Sequence, residues 1–331
     1  MRRLAALIWC CALVACGAPL ALAHESLPVY LGITEEAAGD FDVVWRIPAT
    51  QGAPPSVSPS FPAQCVAIAP ASLSQGPGTL VGRMLLRCGP SGLAKGRIEL
   101  LGLDRTVLDA LVRIGFADGR EVTRVLHPTD TAIMLDDLAE HVDVGGYFRL
   151  GVMHILLGVD HLLFVTGLLL IVRRAMALAK TVTAFTVAHS ITLALAALGF
   201  VHIPPAPVEA SIALSIAFLA RELVRTARGE SGLTARYPWV VAFTFGLLHG
   251  FGFAGALAEV GLPPHDIPLA LLLFNLGVEA GQLAFVAVLL AIRAALVRLI
   301  PRMPALLAAL PTYGIGTAAA FWLIQRVAAI L

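Results

Sequence analysis

The sequence predicts a polytopic α-helical membrane protein with six transmembrane helices, preceded by a signal peptide and a small all-β exported domain. Hydrophobic residues make up 58% of the 331 residues and charged residues only 14%, with a mean hydropathy of +0.84. Soluble proteins carry about 25% charged residues. The second half of the chain contains apolar stretches near the ~20 residues that span a bilayer. The first half contains an export signal and short runs of alternating polarity.

Residues 1–23 have the three parts of a secretory signal peptide. Arg2 and Arg3 precede an apolar run, and the tripeptide 21–23 is an A-x-A cleavage site. Two alternatives are lipid attachment at Cys16 and an uncleaved first helix. Cleavage after residue 23 is preferred because the chain stays apolar beyond Cys16 and the apolar run is short for a membrane span.

The cysteines indicate the redox environment of the exported segment. Three of the five lie within the signal peptide, which leaves Cys65 and Cys88. An even pair of cysteines in an exported segment favours a disulfide over two buried thiols.

Residues 24–135 have the pattern of a small all-β domain. Short alternating runs cover residues 27–34, 40–48, 81–88, 97–103, 109–116 and 120–126. The last two flank Asp118-Gly119, a strong hairpin signal. The proline-rich segment 51–62 is expected to be a loop, and about six strands fit a β-sandwich. Residues 136–147 are expected to form an acidic, helical connector.

The remaining residues, 148–331, are expected to form the membrane domain. The apolar stretches cover residues 148–172, 181–200, 208–224, 238–258, 267–292 and 305–330. Loops after the first, third and fifth stretches carry Arg173, Arg174, Lys180, Arg221, Arg225, Arg228, Arg236, Arg293, Arg298 and Arg302. The intervening loops, 201–207 and 259–266, contain no lysine or arginine. The positive-inside rule therefore predicts a bacterial-type inner-membrane protein with a periplasmic N-terminal domain.

Several polar side chains interrupt these apolar stretches. They are His154, Asp160, His161, His189, His249, Asn275 and Glu279. On a straight helix, His154 and His161 would share a face about 10 Å apart. Ionisable groups inside a membrane are costly and mark functional sites by default. The set is therefore predicted to be an intramembrane metal pathway.

The donor atoms restrict the ligand of this site. Imidazole, carboxylate and amide groups favour divalent nickel, cobalt, zinc or iron, and the lack of cysteine argues against Cu(I). No phosphate-binding loop is present, so no nucleotide is expected. No basic run interleaved with aromatic residues supports nucleic-acid binding. Transport would need the membrane potential, a proton gradient or a partner.

The run His154-x5-Asp160-His161 resembles the signature of the HupE/UreJ family, in particular the branch that carries an exported N-terminal domain. The segments around His189, His249 and Glu279 are similar to the later helices of that family. The resemblance implies a nickel permease, with cobalt as a second substrate. One departure is that the second histidine-rich element of the smaller permeases, close to Phe-His-Gly-x-x-His-Gly-x-Glu, is reduced here to the single His249.

Other functions remain open at this stage. An intramembrane zinc hydrolase would use the same cluster, with Asp160 or Glu279 as general base and Ser190 as a candidate nucleophile. A haem protein would use two histidines as axial ligands. A simple anchor for the β-domain would leave the buried charges unexplained. The expected partners are a transition-metal ion and membrane lipid, with a periplasmic metal donor or a second copy of the chain.

Overall fold

The structure is a computed structural model. It describes residues 28–48, 56–76, 79–89, 92–93, 96–135, 143–260, 267–299, 305–328 and 330, with only the backbone at 253–260 and 305–309. The signal peptide and most of the connector, 136–142, lie outside the described residues.

The described part of the N-terminal half is rich in β-strand. Its strands are β1 (Val29–Ala37), β2 (Asp40–Pro48), β3 (Ser58–Ser60), β4 (Val66–Ala67), β5 (Ser72–Gly76), β6 (Thr79–Arg87), β7 (Arg97–Leu101), β8 (Ala110–Gly115), β9 (Glu121–Leu126) and β10 (Ala132–Met134). One sheet has the order β4-β6-β2-β1-β8-β9, with β5 also paired to β6, and the other has the order β10-β7-β3. Only β1 and β8 pair in parallel among the described strands.

The two sheets share one hydrophobic core. Alternate residues of β2, such as Val43 and Trp45, are buried and pack with Ile98 and Leu100 of β7. This period-2 pattern is what a strand with one buried face requires. The predicted two-layer β arrangement therefore agrees with the described strands.

Three local predictions in this region have an outcome. Cys65 and Cys88 form the predicted disulfide. The predicted hairpin is present, with Gly119 at a φ of 87° in the turn between β8 and β9. The prediction that 51–62 is wholly a loop is wrong, because β3 pairs Pro59 with Leu100. A proline is tolerated there because β3 is an edge strand.

The C-terminal half is helical. Its described helices are α1 (Val144–Leu157), α2 (Val159–Ile171), α3 (Ala175–Ala197), α4 (Pro205–Ala227), α5 (Leu233–Arg236), α6 (Pro238–Val260), α7 (Ile267–Leu299) and α8 (Ala305–Ala328). By length and composition, α3 and α7 are each able to cross a membrane. The pair α1 and α2 forms a third such segment if it is counted as one span.

The first apolar stretch is not the straight helix that the sequence predicts. It bends by 72° between α1 and α2, at Gly158, whose φ of −76° and ψ of 88° are not helical. Asp160 lies in the first turn of α2, and its Oδ1 accepts a hydrogen bond from the backbone N–H of His161 at 3.0 Å. A carboxylate at a helix N-terminus is favourable, so Gly158 and Asp160 together start a new helix.

Small residues allow close helix contacts, but between other helices than expected. The small-residue spacings Gly246-x3-Gly250 and Gly277-x3-Gly281 in the sequence predict a close approach between α6 and α7. Instead, a Cβ at Gly246 would lie 2.5 Å from the carbonyl oxygen of Phe185, on α3. A Cβ at Gly277 would collide with the carbonyl oxygen of Phe148, on α1. The glycines of α6 therefore face α3, and those of α7 face α1.

The sheet that contains β8 and β9 contacts one end of the helices directly. Leu111 of β8 and Val125 of β9 share a hydrophobic cluster with Tyr147 of α1 and with residues of α3 and α7. Asp143 caps α1 by accepting the N–H of Gly146 at 2.8 Å, and its other oxygen accepts the N–H of Val125 at 3.2 Å. This contact defines the sheet-facing end of the helices.

Candidate metal centre

Three buried imidazoles from consecutive helices meet inside the helical half. His154 comes from α1, His161 from α2 and His189 from α3, and their exposed fractions are 3%, 1% and 0%. One ring nitrogen of each lies within 4.8 Å of the others. The ring centroids of His154 and His161 are 4.9 Å apart, and His189 is 6.0 and 6.2 Å from them. The bend at Gly158 creates this cluster, because a straight helix would separate His154 from His161 by about 10 Å.

Asp160 orients the His161 ring. Its Oδ1 lies 3.2 Å from His161 Nδ1, and both residues are 1% exposed. A carboxylate at Nδ1 keeps the proton on that atom and leaves the lone pair on Nε2. His161 Nε2 has no hydrogen-bond partner among the described residues. The ring is therefore prepared to donate Nε2 to a metal ion.

Asn275 orients the His189 ring in the same way. The amide nitrogen of Asn275 donates to the carbonyl oxygen of Leu271 at 2.8 Å, so its Oδ1 faces His189 Nδ1 at 3.2 Å. An amide oxygen only accepts hydrogen bonds, so His189 Nδ1 carries the proton. His189 Nε2 is left with its lone pair and without a partner in the described part of the chain.

His249 lies beside this group. Its ring centroid is 5.0 Å from that of His161, but no ring nitrogen of His249 belongs to the group within 4.8 Å. Its Nε2 is 3.0 Å from the hydroxyl of Ser215, which is fully buried on α4. Sequence reasoning missed Ser215, although a polar side chain within the third apolar stretch was a usable signal.

Glu279 lies on the seam between α3 and α7 and does not belong to the group of ligand atoms within 4.8 Å. Its Oε1 accepts a hydrogen bond from the Thr183 hydroxyl at 2.6 Å, and the carboxylate is half-buried. Thr186 and Gln282 form a second, buried contact across the same seam at 3.1 Å. Of the predicted residues, the structure thus brings together three histidines, with Asp160 and Asn275 behind them and His249 alongside.

The chemistry of this set suits a divalent transition-metal ion. His161 and His189 offer neutral nitrogen donors, and His154 places a third ring nitrogen within the same 4.8 Å. Imidazole nitrogen is a ligand for nickel, cobalt and zinc. The group behind each ring, a carboxylate at His161 and an amide at His189, raises the basicity of the ligand and fixes its orientation. The described residues therefore supply both the ligands and the groups that orient them.

Comparison with known proteins supports this reading of the helical half. A family model described as HupE / UreJ protein matches residues 129–326, which is more than half of the chain. No curated protein and no solved structure matches the chain. The match includes every helix that contributes to the imidazole cluster and does not extend to most of the β-strands.

Proposed function

The chain belongs to the HupE/UreJ family, and from that premise we propose that it is a permease for divalent nickel or cobalt. The family is associated with nickel and cobalt transport. The observation that carries the proposal is the buried group of His154, His161 and His189. Aliphatic side chains would fill the space between apolar helices better than three convergent imidazoles, so packing does not explain the presence of these histidines.

The composition of the site favours transport over permanent retention. Three neutral imidazoles and the single carboxylate of Asp160 leave a bound divalent ion with a net positive charge. A transport site has to bind strongly enough to replace the water of the ion and weakly enough to release it. A site with several carboxylates or thiolates would hold the ion more tightly.

The proposed orientation follows from the charge of the loops and the position of the sheets. We place the six apolar stretches across the inner membrane, with the signal peptide removed and the β-domain in the periplasm. Arg174 at the start of α3 and Arg298 in the last turn of α7 lie at the helix ends opposite those that contact the sheet, as the positive-inside rule requires. A periplasmic metal donor, or a second copy of the chain, would then meet the β-domain first.

We place Glu279 on the route of the ion and outside its resting site. The carboxylate accepts a hydrogen bond from Thr183, and within the described part of the chain it makes none with a histidine of the cluster. Asn275 and Glu279 lie one turn apart on α7, so an ion that has left the histidines would reach Glu279 farther along the seam. If Glu279 lies on the route and outside the resting site, Glu279→Gln should slow uptake and leave the affinity for the ion unchanged.

The experiment compares metal binding with metal uptake in proteoliposomes. Purified protein is titrated with Co²⁺ by visible absorption, and the same preparation is tested for Co²⁺ and Ni²⁺ uptake. His161→Ala should lose both, with affinity lower by at least roughly tenfold. His202→Ala is the matched control, because His202 is an exposed histidine in the loop before α4. Uptake that survives in His161→Ala would contradict the proposal.

A zinc hydrolase is the second candidate, favoured by one observation. Three histidines with a carboxylate behind one of them also form the ligand set of some catalytic zinc sites, where the fourth position holds water. The two functions predict different rates of exchange for the bound metal ion, slow for a hydrolase and fast for a permease. Zinc that stays bound near one per chain during extensive dialysis, with no uptake of any divalent ion, would favour the hydrolase.

A further inference from the structure

His249 is the fourth buried imidazole, and it stands outside the group that would hold the resting ion. We propose that His249 forms a second ion position, which accepts the ion from His161 on the side away from the β-sheets. This inference rests on the proposed transport function. It assigns separate roles to residues that the sequence places in a single set.

The hydrogen bonds of Ser215 determine which nitrogen His249 offers. The Ser215 hydroxyl donates to the carbonyl oxygen of Ile212 at 2.6 Å, which uses its only proton. The hydroxyl oxygen therefore accepts from His249 Nε2 at 3.0 Å. The proton of the neutral ring is then on Nε2, and the lone pair is on Nδ1.

The Nδ1 atom of His249 has the properties of a ligand without an ion. His249 is 0% exposed, and Nδ1 has no hydrogen-bond partner among the described residues. A buried nitrogen lone pair without a hydrogen-bond partner is unfavourable, because it has lost its contact with water. A passing cation would satisfy this lone pair, while the hydrogen bond from Nε2 to Ser215 would hold the ring in place.

His161 lies between the two positions. Its ring centroid is 4.9 Å from that of His154 on one side and 5.0 Å from that of His249 on the other. Nitrogen ligands lie about 2.0–2.1 Å from a metal such as zinc. An ion bound to His161 Nε2 would therefore need only a small shift to exchange His154 for His249 as its other ligand. An ion would then move without losing all of its ligands.

An aromatic layer defines the direction of this step. Phe164 and Phe185 contact the His249 ring, with centroids 5.4 and 5.1 Å away, and Phe245 contacts Phe164 at 5.9 Å. Phe185 and Phe245 lie one turn before the histidines of α3 and α6, toward the helix ends that lie away from the β-sheets. His249 therefore lies where the imidazoles end and the apolar barrier begins.

Phe218 extends the same pattern to a fourth helix. It lies three residues beyond Ser215 on α4, and its ring centroid is 5.5 Å from that of Phe245. In the described helices, a polar layer is thus packed against an aromatic layer. The polar layer consists of His161, His189, His249 and Ser215, and the aromatic layer of Phe164, Phe185, Phe218 and Phe245. An ion at His249 would be the last bound state before this barrier opens.

The test separates binding from transfer. His249→Ala should keep the wild-type affinity for Co²⁺ at the three-imidazole site, and its uptake into proteoliposomes should fall by at least about tenfold. His189→Ala should lose affinity and uptake together. Ser215→Ala, which releases the His249 ring, should reduce uptake in the same direction without changing affinity. His249→Gln keeps most of the side-chain volume and replaces His249→Ala if that variant does not fold.

Two results would overturn the second position. If His249→Ala weakens Co²⁺ binding as much as His189→Ala does, His249 is a ligand of the resting site. If uptake by His249→Ala equals that of the wild type, His249 has no part in transfer. Absence of Co²⁺ binding and uptake in the wild type would instead refute the permease itself, so the two failures are distinguishable.

Discussion

Gly158→Ala is the smallest change that tests whether the bend builds the metal centre. A Cβ at this position would lie 2.7 Å from the carbonyl oxygen of His154 and 2.9 Å from His161 Nδ1. The backbone itself tolerates alanine, because the φ of Gly158 is −76°. Any effect should therefore come from the contacts of the added Cβ with the carbonyl oxygen of His154 and with His161 Nδ1, and from the greater helical preference of alanine.

The contact distances set the expected magnitude. Ordinary van der Waals contacts of a Cβ begin at 3.4 Å, so His161 Nδ1 would have to move by 3.4 − 2.9 = 0.5 Å. Metal–ligand distances tolerate only about ±0.2 Å. Alanine also favours a continuous helix by about 1 kcal/mol over glycine, and straightening would carry His161 away from His154. We expect Co²⁺ affinity to fall by roughly 10–100-fold.

The assay is a Co²⁺ titration of the detergent-purified protein followed by visible absorption. Gly145→Ala is the matched control, because it adds the same methyl group to α1 where nothing lies within 4 Å. Thermal unfolding of Gly145→Ala should match that of the wild type, and the unfolding transition of Gly158→Ala shows that this variant is folded when Co²⁺ is added. If Gly158→Ala binds Co²⁺ as tightly as the wild type while His161→Ala does not bind, the bend does not position His161.

Three further predictions concern other parts of the molecule. Asn275→Leu removes the acceptor at His189 Nδ1 and should weaken Co²⁺ binding by roughly 10–100-fold in the same titration; unchanged affinity would contradict the orienting role. Cys65→Ser opens a disulfide with a sequence separation of 23 and should cost about 3 kcal/mol of stability in the β-strands, measured by hydrogen exchange; a reductant should do the same to the wild type. Hydrogen bonds from the backbone and side chain of Arg120 lower the pKa of Asp118 below 3.8. The contribution of Asp118 to stability is therefore present above about pH 3.8 and lost as the pH falls through the lowered value, and Asp118→Asn should remove this part of the acid dependence in a pH titration of unfolding.

The strands were predictable because their signals are local. The alternation over 40–48 matches β2 residue for residue, and Asp118-Gly119 marks the hairpin. The bend at Gly158 was not predicted, since hydropathy measures the length of an apolar stretch and is insensitive to its direction. A better signal was present in the sequence: a glycine two residues before an aspartate is a typical start of a new helix.

The candidate site was predictable in membership and not in arrangement. Asn275 and Glu279 lie on the same stripe of α7, so their spacing predicts the same neighbours for both. Which of them meets a histidine depends on the rotation of α7 against α3 and α1, and this rotation is determined by tertiary contacts such as those of Gly277. Ser215 was not predicted, because a single hydroxyl in an apolar stretch gives no sign of its partner. Its role as the hydrogen-bond partner of His249 depends on the packing of a neighbouring helix.

The orienting hydrogen bonds explain how a nearly neutral site can select a cation. Asp160, Asn275 and Ser215 each engage one nitrogen of a histidine and leave the other without a partner among the described residues. The hydrogen bond at one nitrogen thus directs the lone pair of the other nitrogen toward a bound ion. Selectivity then rests on the preference of the ion for nitrogen ligands and on the fixed directions of the lone pairs. Under the proposed permease function, the low negative charge of the site would allow the ion to leave again, as transport requires.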